Sequence, residues 1–213
     1  MKRFEIITEA DARSMDLGAT VALAKGGHIT PLAKDTLSAR RVTVIPEGSS
    51  DPELPADLAP VADIRRVAIG NDHTGIAMKR ALVQYLRGRG IAVTDIGTDT
   101  LESVDYPDIA GRVARTVARG EADAGIVIDG AGIGSAIAAN KIRGIRAAMC
   151  TDETIARYSR EHNGANVMTL GSTLLSGVDA AIRIVDVWIG TSMREARYIR
   201  RLLKIRGLEQ NPD

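Results

Sequence analysis

The sequence predicts an α/β fold in which a parallel sheet is flanked by helices on both faces, preceded by a small N-terminal α+β extension. Short apolar runs typical of strands alternate with segments whose apolar residues recur at the helical period of 3.6. Most of these runs are continuously apolar, as expected for strands that are buried on both faces of a sheet. A proline-rich, acidic segment separates the extension from the rest of the chain.

The predicted extension covers residues 1–45. It has two short apolar runs, Thr20–Leu23 and Val42–Ile45, and between them a segment that predicts a helix beginning at Pro31. About 45 residues are few for an independent domain, so we expect this unit to pack on a partner or on the main domain. Residues 46–64 are predicted as a linker, because four prolines and four acidic residues within 46–61 interrupt any periodic apolar face there.

The main domain is predicted over residues 65–206, with 207–213 as a C-terminal tail. Its first strand is the apolar run that follows Arg66. The next helix carries apolar residues at i, i+3, i+4 and i+7, namely Met78, Ala81, Leu82 and Tyr85. Residues 91–97 predict the second strand, and the helix after it has the apolar stripe Ile109, Val113 and Val117.

The second half of the domain continues the alternation. Residues 125–130 predict a strand buried on both faces, and GIGSAIAANK continues from it into a helix. Strands at 145–150 and 166–171 flank a helix over 151–161, and a helix with Ile182, Val185 and Ile189 follows. Since ligands bind at the carboxyl ends of parallel strands, the candidate segments are Asn71–Gly75, Gly97–Asp105, Asp129–Ser135, Cys150–Asp152 and Gly171–Ser176.

Composition excludes several classes of protein. The chain has 213 residues, with 28 Lys and Arg against 27 Asp and Glu, so its near-zero net charge argues against nucleic acid or an anionic membrane as a partner. One cysteine, Cys150, excludes a disulfide framework. The longest apolar stretch, 124–139, is interrupted by Asp129 and by glycines, so it does not predict a membrane span. We therefore expect a cytoplasmic protein.

The segment Asp129-Gly-Ala-Gly-Ile-Gly-Ser135 is the most informative of the candidates. Its three alternate glycines allow the backbone to approach a ligand, and the helix that follows offers free N–H groups to an anion. The same segment is also compatible with a tight turn that binds nothing. A dinucleotide fingerprint would need glycine in place of Ser135, with Asp152 then placed to receive a ribose.

Polar residues at the other segment ends have both a structural and a functional interpretation. Asp72 and His73 precede a helix, and they could cap it or contact a sugar phosphate. His162 closes a helix, where a histidine is favourable against the helix dipole in any case. Arg197 and Arg201 are four residues apart on a predicted helix, which makes them either a solvated face or a two-arginine grip on phosphate.

The main domain contains, in this order, IGNDHTG, ESVDYPD, GIVIDGAGIGSAIAANK, GIRAAMC, REHN and an R-x-x-x-R pair. In this order and spacing, from about Val67 to Ile205, they resemble the ribose-5-phosphate isomerase B / galactose-6-phosphate isomerase family. The resemblance implies a Rossmann-like sheet and an aldose–ketose isomerase that uses no cofactor and no metal. It also implies a homodimer or homotetramer with active sites shared between subunits.

The resemblance also implies site residues. His162 opens the sugar ring with help from Asp72, and a base at Asp129 moves a proton between C2 and C1 through a cis-enediol. The backbone N–H groups of the glycine loop stabilise the enediolate: Gly130, Ala131, Gly132, Ile133 and Gly134. The implied contacts to the sugar are Tyr106 and Asn163, and those to the phosphate are His73, Arg197 and Arg201.

Three departures from the family pattern leave two hypotheses open. The usual base is a cysteine where this chain has Asp129, the usual hydroxyl of the glycine loop is replaced by Ala131, and a common arginine is replaced by Thr173. The first hypothesis is an isomerase of a small sugar phosphate with Asp129 as its base. The second is a non-catalytic or altered-specificity protein that binds a sugar phosphate on the same fold.

The extension has a resemblance of its own. The segment T-P-L-A-K-D at residues 30–35 is similar to short segments at the ends of some bacterial microcompartment enzymes. That resemblance implies recruitment to a protein shell or to a partner enzyme. An oligomerisation arm is the alternative.

Overall fold

A computed structural model describes residues 2–40, 42–46, 60–193 and 196–210. The chain divides into two compact units, residues 1–53 and 54–213. Most of the predicted linker, residues 47–59, lies outside the described residues. Of its two ends, Pro46 completes a strand and Ile64 is buried in the core of the second unit.

The first unit alternates strands and helices. Its elements are β1 (Arg3–Ile7), α1 (Glu9–Ser14), β2 (Thr20–Ile29), α2 (Pro31–Ala39) and β3 (Thr43–Pro46). The three strands form a parallel sheet in the order β1-β2-β3. The helix predicted at Pro31 is confirmed. β1 and α1 are not among the elements predicted from the sequence, although Thr8 and Asp11 form a capping box that marks the start of α1.

The second unit has five strands and six helices among its described residues. They are β4 (Arg66–Asn71), α3 (Ile76–Gly88), β5 (Ala92–Asp95), α4 (Tyr106–Ala118), β6 (Ala124–Asp129), α5 (Ile133–Ala139), β7 (Ala147–Met149), α6 (Glu153–Glu161), β8 (Val167–Gly171), α7 (Val178–Gly190) and α8 (Ala196–Gln210). All strand pairs are parallel, in the order β5-β4-β6-β8-β7.

Two apolar cores cover the two faces of this sheet. On one face, Ile69 and Ile126 pack with residues of α3 and α7, such as Leu82 and Ile184. On the other face, Val127 belongs to a cluster formed with α4 and α5. All six residues of β6 are buried, which explains why its apolar run is continuous. The predicted parallel sheet with helices on both faces is confirmed.

The C-terminal segment predicted as a tail is helical through Gln210, since α8 continues across it. Glu209 joins this helix to the loop after α5. Its carboxylate accepts a hydrogen bond from the Gly144 N–H at 3.0 Å, and its carbonyl accepts one from Arg143 at 3.0 Å. Within the described ranges, no helix is long and apolar enough to cross a membrane.

Candidate active site

Three central strands end side by side at the carboxyl edge of the sheet. Asn71 of β4 lies opposite Ile128 of β6, and Asp129 lies opposite Gly171 of β8. The predicted residues Asp72 and Asp129 are therefore neighbours here, and both are buried, with 6% and 3% of their surface exposed. Ser172 joins them, because its N–H donates to the Asp129 carbonyl at 2.8 Å.

The Asp129 carboxylate turns back into its own glycine loop. Oδ1 accepts hydrogen bonds from the N–H groups of Ala131, at 2.9 Å, and Gly132. Oδ2 accepts from the N–H of Ser135, at 3.0 Å, and from the Ser135 hydroxyl. Four donors thus hold the carboxylate. The N–H groups of Ala131 and Gly132, which the resemblance assigns to an enediolate, donate their hydrogen bonds to Asp129 instead.

Neighbouring strands fix the shape of the glycine loop. Thr169 donates its hydroxyl proton to the Gly132 carbonyl, and Thr173 donates to the Gly130 carbonyl, both at 2.6 Å. Gly132 has a φ of 79°, and a Cβ there would come within 3.0 Å of the Gly171 backbone nitrogen. The loop therefore needs glycine at position 132 for both its conformation and its packing.

Tyr106 lies against the glycine loop, at the first residue of α4. A Cβ on Gly134 would come within 2.5 Å of the tyrosine ring, so the ring rests on the loop backbone itself. Tyr106 is 40% exposed and Ile133 is 53% exposed, so this side of the loop faces outward. The structure thus brings Tyr106 together with the predicted loop residues.

The turn after β4 is organised by Asp72. Its Oδ1 accepts hydrogen bonds from the N–H of Thr74, at 2.8 Å, and from the Thr74 hydroxyl, at 2.6 Å. His73 lies between them and is half-buried, and its Nδ1 is buried without a hydrogen-bond partner among the described residues.

A buried lysine anchors the loop that follows β5. The Lys79 ammonium, 1% exposed, contacts carboxylate oxygens of Asp95 and Asp99, each at 2.9 Å. Burial alone would lower the pKa of Lys79, but the hydrogen bonds to the two carboxylates outweigh burial and raise the pKa above its usual value. Lys79 stays charged and holds α3 to the loop that leads to Tyr106.

The chain's single cysteine is not available as a substitute base. Cys150 follows β7 and is fully buried. Burial raises the pKa of its thiol to about 12, so the thiol is protonated at neutral pH and is a poor nucleophile or base. In the part of the chain that the structure describes, no three His, Cys, Asp or Glu side chains could together hold a metal ion.

A second group of predicted residues lies at the opposite, amino edge of the sheet. Helix α6 connects the end of β7 to the start of the parallel strand β8, so it runs back across the sheet and ends at His162. The His162 ring is stacked between Tyr158 and Tyr198, with 4.5 Å between ring centres on each side. Asn163 is the next residue, and it donates to the Tyr158 carbonyl at 3.1 Å.

Helix α8 brings Arg201, one of the predicted phosphate arginines, to this second group. Tyr198, which stacks on His162, lies on α8, and the guanidinium of Arg201 lies 5.5 Å from the centre of its ring. Arg197 is one turn earlier on the same helix. His162, Asn163 and Arg201 therefore form one cluster, which we call the amino-edge group.

One chain does not bring the amino-edge group together with Asp129. A six-residue strand such as β6 is about 20 Å long, and the two groups lie at its opposite ends. The structure thus divides the predicted site residues into two separate groups. Asp72, His73, Tyr106 and the glycine loop form one, and the amino-edge group forms the other.

Arg160 holds the end of α6 from which His162 projects. It is completely buried and donates to the carbonyls of Val61 at 2.7 Å, Ala165 at 2.9 Å and Thr191 at 3.2 Å. Burial lowers its pKa to about 10, so the guanidinium is still charged at neutral pH.

We expect Arg160→Met to lower the free energy of unfolding by about 3 kcal/mol, since three carbonyls lose their donor. Urea denaturation measures this change. Arg157→Met on the exposed side of α6 is the matched control and should change stability by less than about 0.5 kcal/mol. Equal effects of the two variants would contradict the role of Arg160 in holding the end of α6.

Residues 67–205, well over half of the chain, match the family described as Ribose/Galactose Isomerase. The chain belongs to the ribose/galactose isomerase family. It is 43% identical over 147 residues to ribose-5-phosphate isomerase B of Escherichia coli K12, an alignment that covers 69% of this chain and 98% of the relative. It is 40% identical over 124 residues to D-erythrulose-4-phosphate isomerase of Pectobacterium atrosepticum, covering 58% and 81%.

Solved structures of this isomerase family share the fold. Ribose-5-phosphate isomerase B of Clostridium thermocellum superposes with a TM-score of 0.66 at 48% identity, covering 68% of this chain and 97% of its own. The Mycoplasma genitalium enzyme with bound ribulose-5-phosphate gives 0.66 at 34% identity, with 68% and 97% covered. The resemblance and the isomerase class expected from the sequence are confirmed.

The structure adds residues that sequence reasoning had not singled out. Thr74 and Ser172 lie in the predicted strand-end segments Asn71–Gly75 and Gly171–Ser176, and this position is a signal that identifies them. Lys79 lies within α3 and has no such signal. Asp152, the candidate for a ribose in the dinucleotide interpretation, caps α6 by accepting from the N–H groups of Thr154 and Ile155 at 2.8 and 2.9 Å. Its carboxylate has a structural role in this chain.

Proposed function

We propose that this chain interconverts the aldose and ketose forms of a four- or five-carbon sugar phosphate through a cis-enediol, with Asp129 as the base. One observation carries the proposal. A carboxylate stands at the end of the central strand β6, at the position that the family resemblance assigns to the base, and beside it lie Asp72, Tyr106 and the glycine loop.

Substrate binding and activation of the base are linked in this mechanism. In the free chain, four hydrogen bonds hold the Asp129 carboxylate within the glycine loop. When the substrate carbonyl oxygen accepts hydrogen bonds from the N–H groups of Ala131 and Gly132, Oδ1 of Asp129 loses these two donors. The freed oxygen then takes the C2 proton, while the two amides stabilise the enediolate. The O2–H proton moves to O1 through the cis-enediol, and Asp129 returns its proton to C1, which leaves the carbonyl at C2.

In this proposal the two groups are half-sites, and they act together when two copies of the chain meet. We propose a homodimer, or a homotetramer built from such dimers, in which each site takes Asp129 from one copy and His162 from the other. Their separation at opposite ends of β6 supports this arrangement, since a small sugar phosphate is too short to bridge them within one chain. Exposed apolar residues on α5, Ile133 and Ile137, offer a surface for such contact.

The amino-edge group suits the phosphate and the sugar ring. Arg201 supplies positive charge, with Arg197 one turn earlier on the same helix, and Asn163 supplies an exposed amide. On the other half-site, His73 is half-buried, and its buried Nδ1 has no hydrogen-bond partner in the part of the chain that the structure describes. The relatives named above act on five-carbon and four-carbon sugar phosphates, by their names, so both lengths are proposed substrates here.

Proton NMR in deuterated water tests this function directly. We expect the purified chain to convert a member of a panel of four- to six-carbon aldose and ketose phosphates, with deuterium entering at C2 of the aldose or C1 of the ketose. Exchange establishes proton-transfer isomerisation and identifies the sugar. Absence of exchange with every sugar of the panel contradicts the proposal.

The second candidate is a sugar-phosphate-binding protein without turnover. It is favoured by one observation, the full set of hydrogen bonds that Asp129 makes within its own loop. Thermal stabilisation by a sugar phosphate without deuterium exchange would select it. Recruitment to a protein shell through residues 1–45 stays a prediction from the T-P-L-A-K-D segment alone.

A further inference from the structure

The family resemblance assigns Asp72 a part in opening the sugar ring, yet the Asp72 side chain is buried. The hydroxyl groups of Thr74 and Ser172 form a hydrogen-bonded chain from the Asp72 carboxylate toward the loop of Asp129. We infer that Asp72, Thr74 and Ser172 form a proton relay that removes the proton from the anomeric hydroxyl when the ring opens. The inference rests on the proposed isomerase function and names two further residues for it.

The hydrogen bonds of the relay have a defined direction. Thr74 donates its hydroxyl proton to Oδ1 of Asp72 at 2.6 Å, and the Thr74 N–H donates to the same oxygen at 2.8 Å. The hydroxyl oxygens of Thr74 and Ser172 lie 2.9 Å apart. An ionised carboxylate only accepts hydrogen bonds, so the hydroxyl proton of Thr74 is donated to Asp72. Ser172 is therefore the donor in the hydrogen bond between the Thr74 and Ser172 hydroxyls.

This direction leaves the Ser172 oxygen as an acceptor at the end of the chain. Ser172 is half-buried and follows β8, where its N–H binds the Asp129 carbonyl at 2.8 Å. Gly171 packs directly against Ala131 of the glycine loop, so Ser172 lies beside the place where the reacting carbons would bind. The relay therefore links the ends of β4 and β8 across the base on β6.

The proton balance of the step is simple. The anomeric O1–H proton moves to Ser172, the proton of Ser172 moves to Thr74, and the proton of Thr74 moves to the Asp72 carboxylate. The O1–H electron pair forms the C1=O1 carbonyl, and the C1–O4 bond breaks. O4 keeps that electron pair and takes a proton from the imidazolium of His162 on a second copy. Asp72 gains one proton and His162 loses one.

A purely structural role predicts something different. The bond from the Thr74 N–H to Asp72 closes a tight turn before α3, and the hydroxyls could merely strengthen it. Thr74→Val keeps that N–H and removes the hydroxyl, and Ser172→Ala removes the second link. Thr74→Ser restores a hydroxyl. The matched control is Thr116→Val on α4, whose hydroxyl binds the Arg112 carbonyl within its own helix.

The test compares two substrates. Ribose 5-phosphate has a free O4 and must open a furanose ring, whereas D-erythrulose 4-phosphate has its O4 phosphorylated and is already open. We expect Thr74→Val and Ser172→Ala each to lower kcat for ribose 5-phosphate about 100-fold, the range of one general acid–base group. Turnover of the four-carbon sugar should stay within about twofold. Thr74→Ser and Thr116→Val should retain activity on both.

The double variant adds an independent readout. Both links serve one proton path, so Thr74→Val with Ser172→Ala should cost no more than either change alone. Equal losses on both sugars, multiplicative losses in the double variant, or no loss at all would overturn the relay. So would a wild-type chain that turns over the four-carbon sugar alone. Wild-type inactivity on both sugars would instead overturn the proposed function, and the relay with it.

Discussion

Asp129→Asn is expected to lower isomerase turnover by about 1,000-fold or more, because an amide cannot take up the proton that leaves C2. Affinity for the sugar phosphate should be retained, since the phosphate contacts lie elsewhere. Turnover is measured as deuterium incorporation by NMR, and affinity as ligand-induced thermal stabilisation. A variant with unchanged turnover would remove Asp129 from the mechanism.

Two further variants separate the base from its structural role. In Asp129→Asn, the NH₂ group of the new amide would face N–H or O–H donors of the loop, so this variant is also expected to lose about 1–3 kcal/mol of stability. Asp129→Cys instead places a thiol at this position, and it should recover part of the turnover. Asp152→Asn makes the same chemical change at a carboxylate that caps α6, and it should leave turnover unchanged.

Two inactive variants should restore activity when they are mixed. Asp129→Asn disables one half-site and His162→Asn disables the other, so each homodimer has two defective sites. A mixed dimer has one site with both residues intact and one site with neither. After random exchange of subunits, turnover should reach about a quarter of the wild-type value, because half of the dimers are mixed and each has one working site.

The measurement is the rate of isomerisation after the two variants have been dissociated together and reassembled. Each variant taken alone through the same treatment is the control and should stay inactive. If the mixture stays inactive while mixed dimers are present by mass spectrometry, the half-sites of two copies do not form one site. The arrangement proposed for the dimer would then be wrong.

The sequence predicted the sheet of the second unit well, because burial leaves a clear trace in composition. The run before Asp129 is uninterrupted and apolar, and all six residues of that strand are buried. β1 escaped prediction since only its last residue is fully buried, while Arg3, Glu5 and Ile6 are exposed. Edge strands and the strands of small sheets have weaker apolar patterns than central strands.

The site was predictable in position but not in detail. Strand ends identified Asp72 and Asp129, since parallel strands end at one edge. The direction of the Asp129 carboxylate depends on a loop conformation set by Gly132, with its φ of 79°, and no pattern of residue types specifies it. Thr74 and Ser172 are 98 positions apart, so their contact exists only in the folded chain.

The carboxylate within the glycine loop also affects which molecules can compete for the site. Asp129 is a tethered anion, and its effective concentration at the Ala131 and Gly132 amides is far above that of any free anion in solution. Inorganic phosphate or a small carboxylate, which binds through its charge alone, is therefore a weak competitor there. A ligand displaces Asp129 only if a second anchor, such as a phosphate held at the other half-site, contributes free energy as well. The loop thus discriminates against fragments of its own substrate.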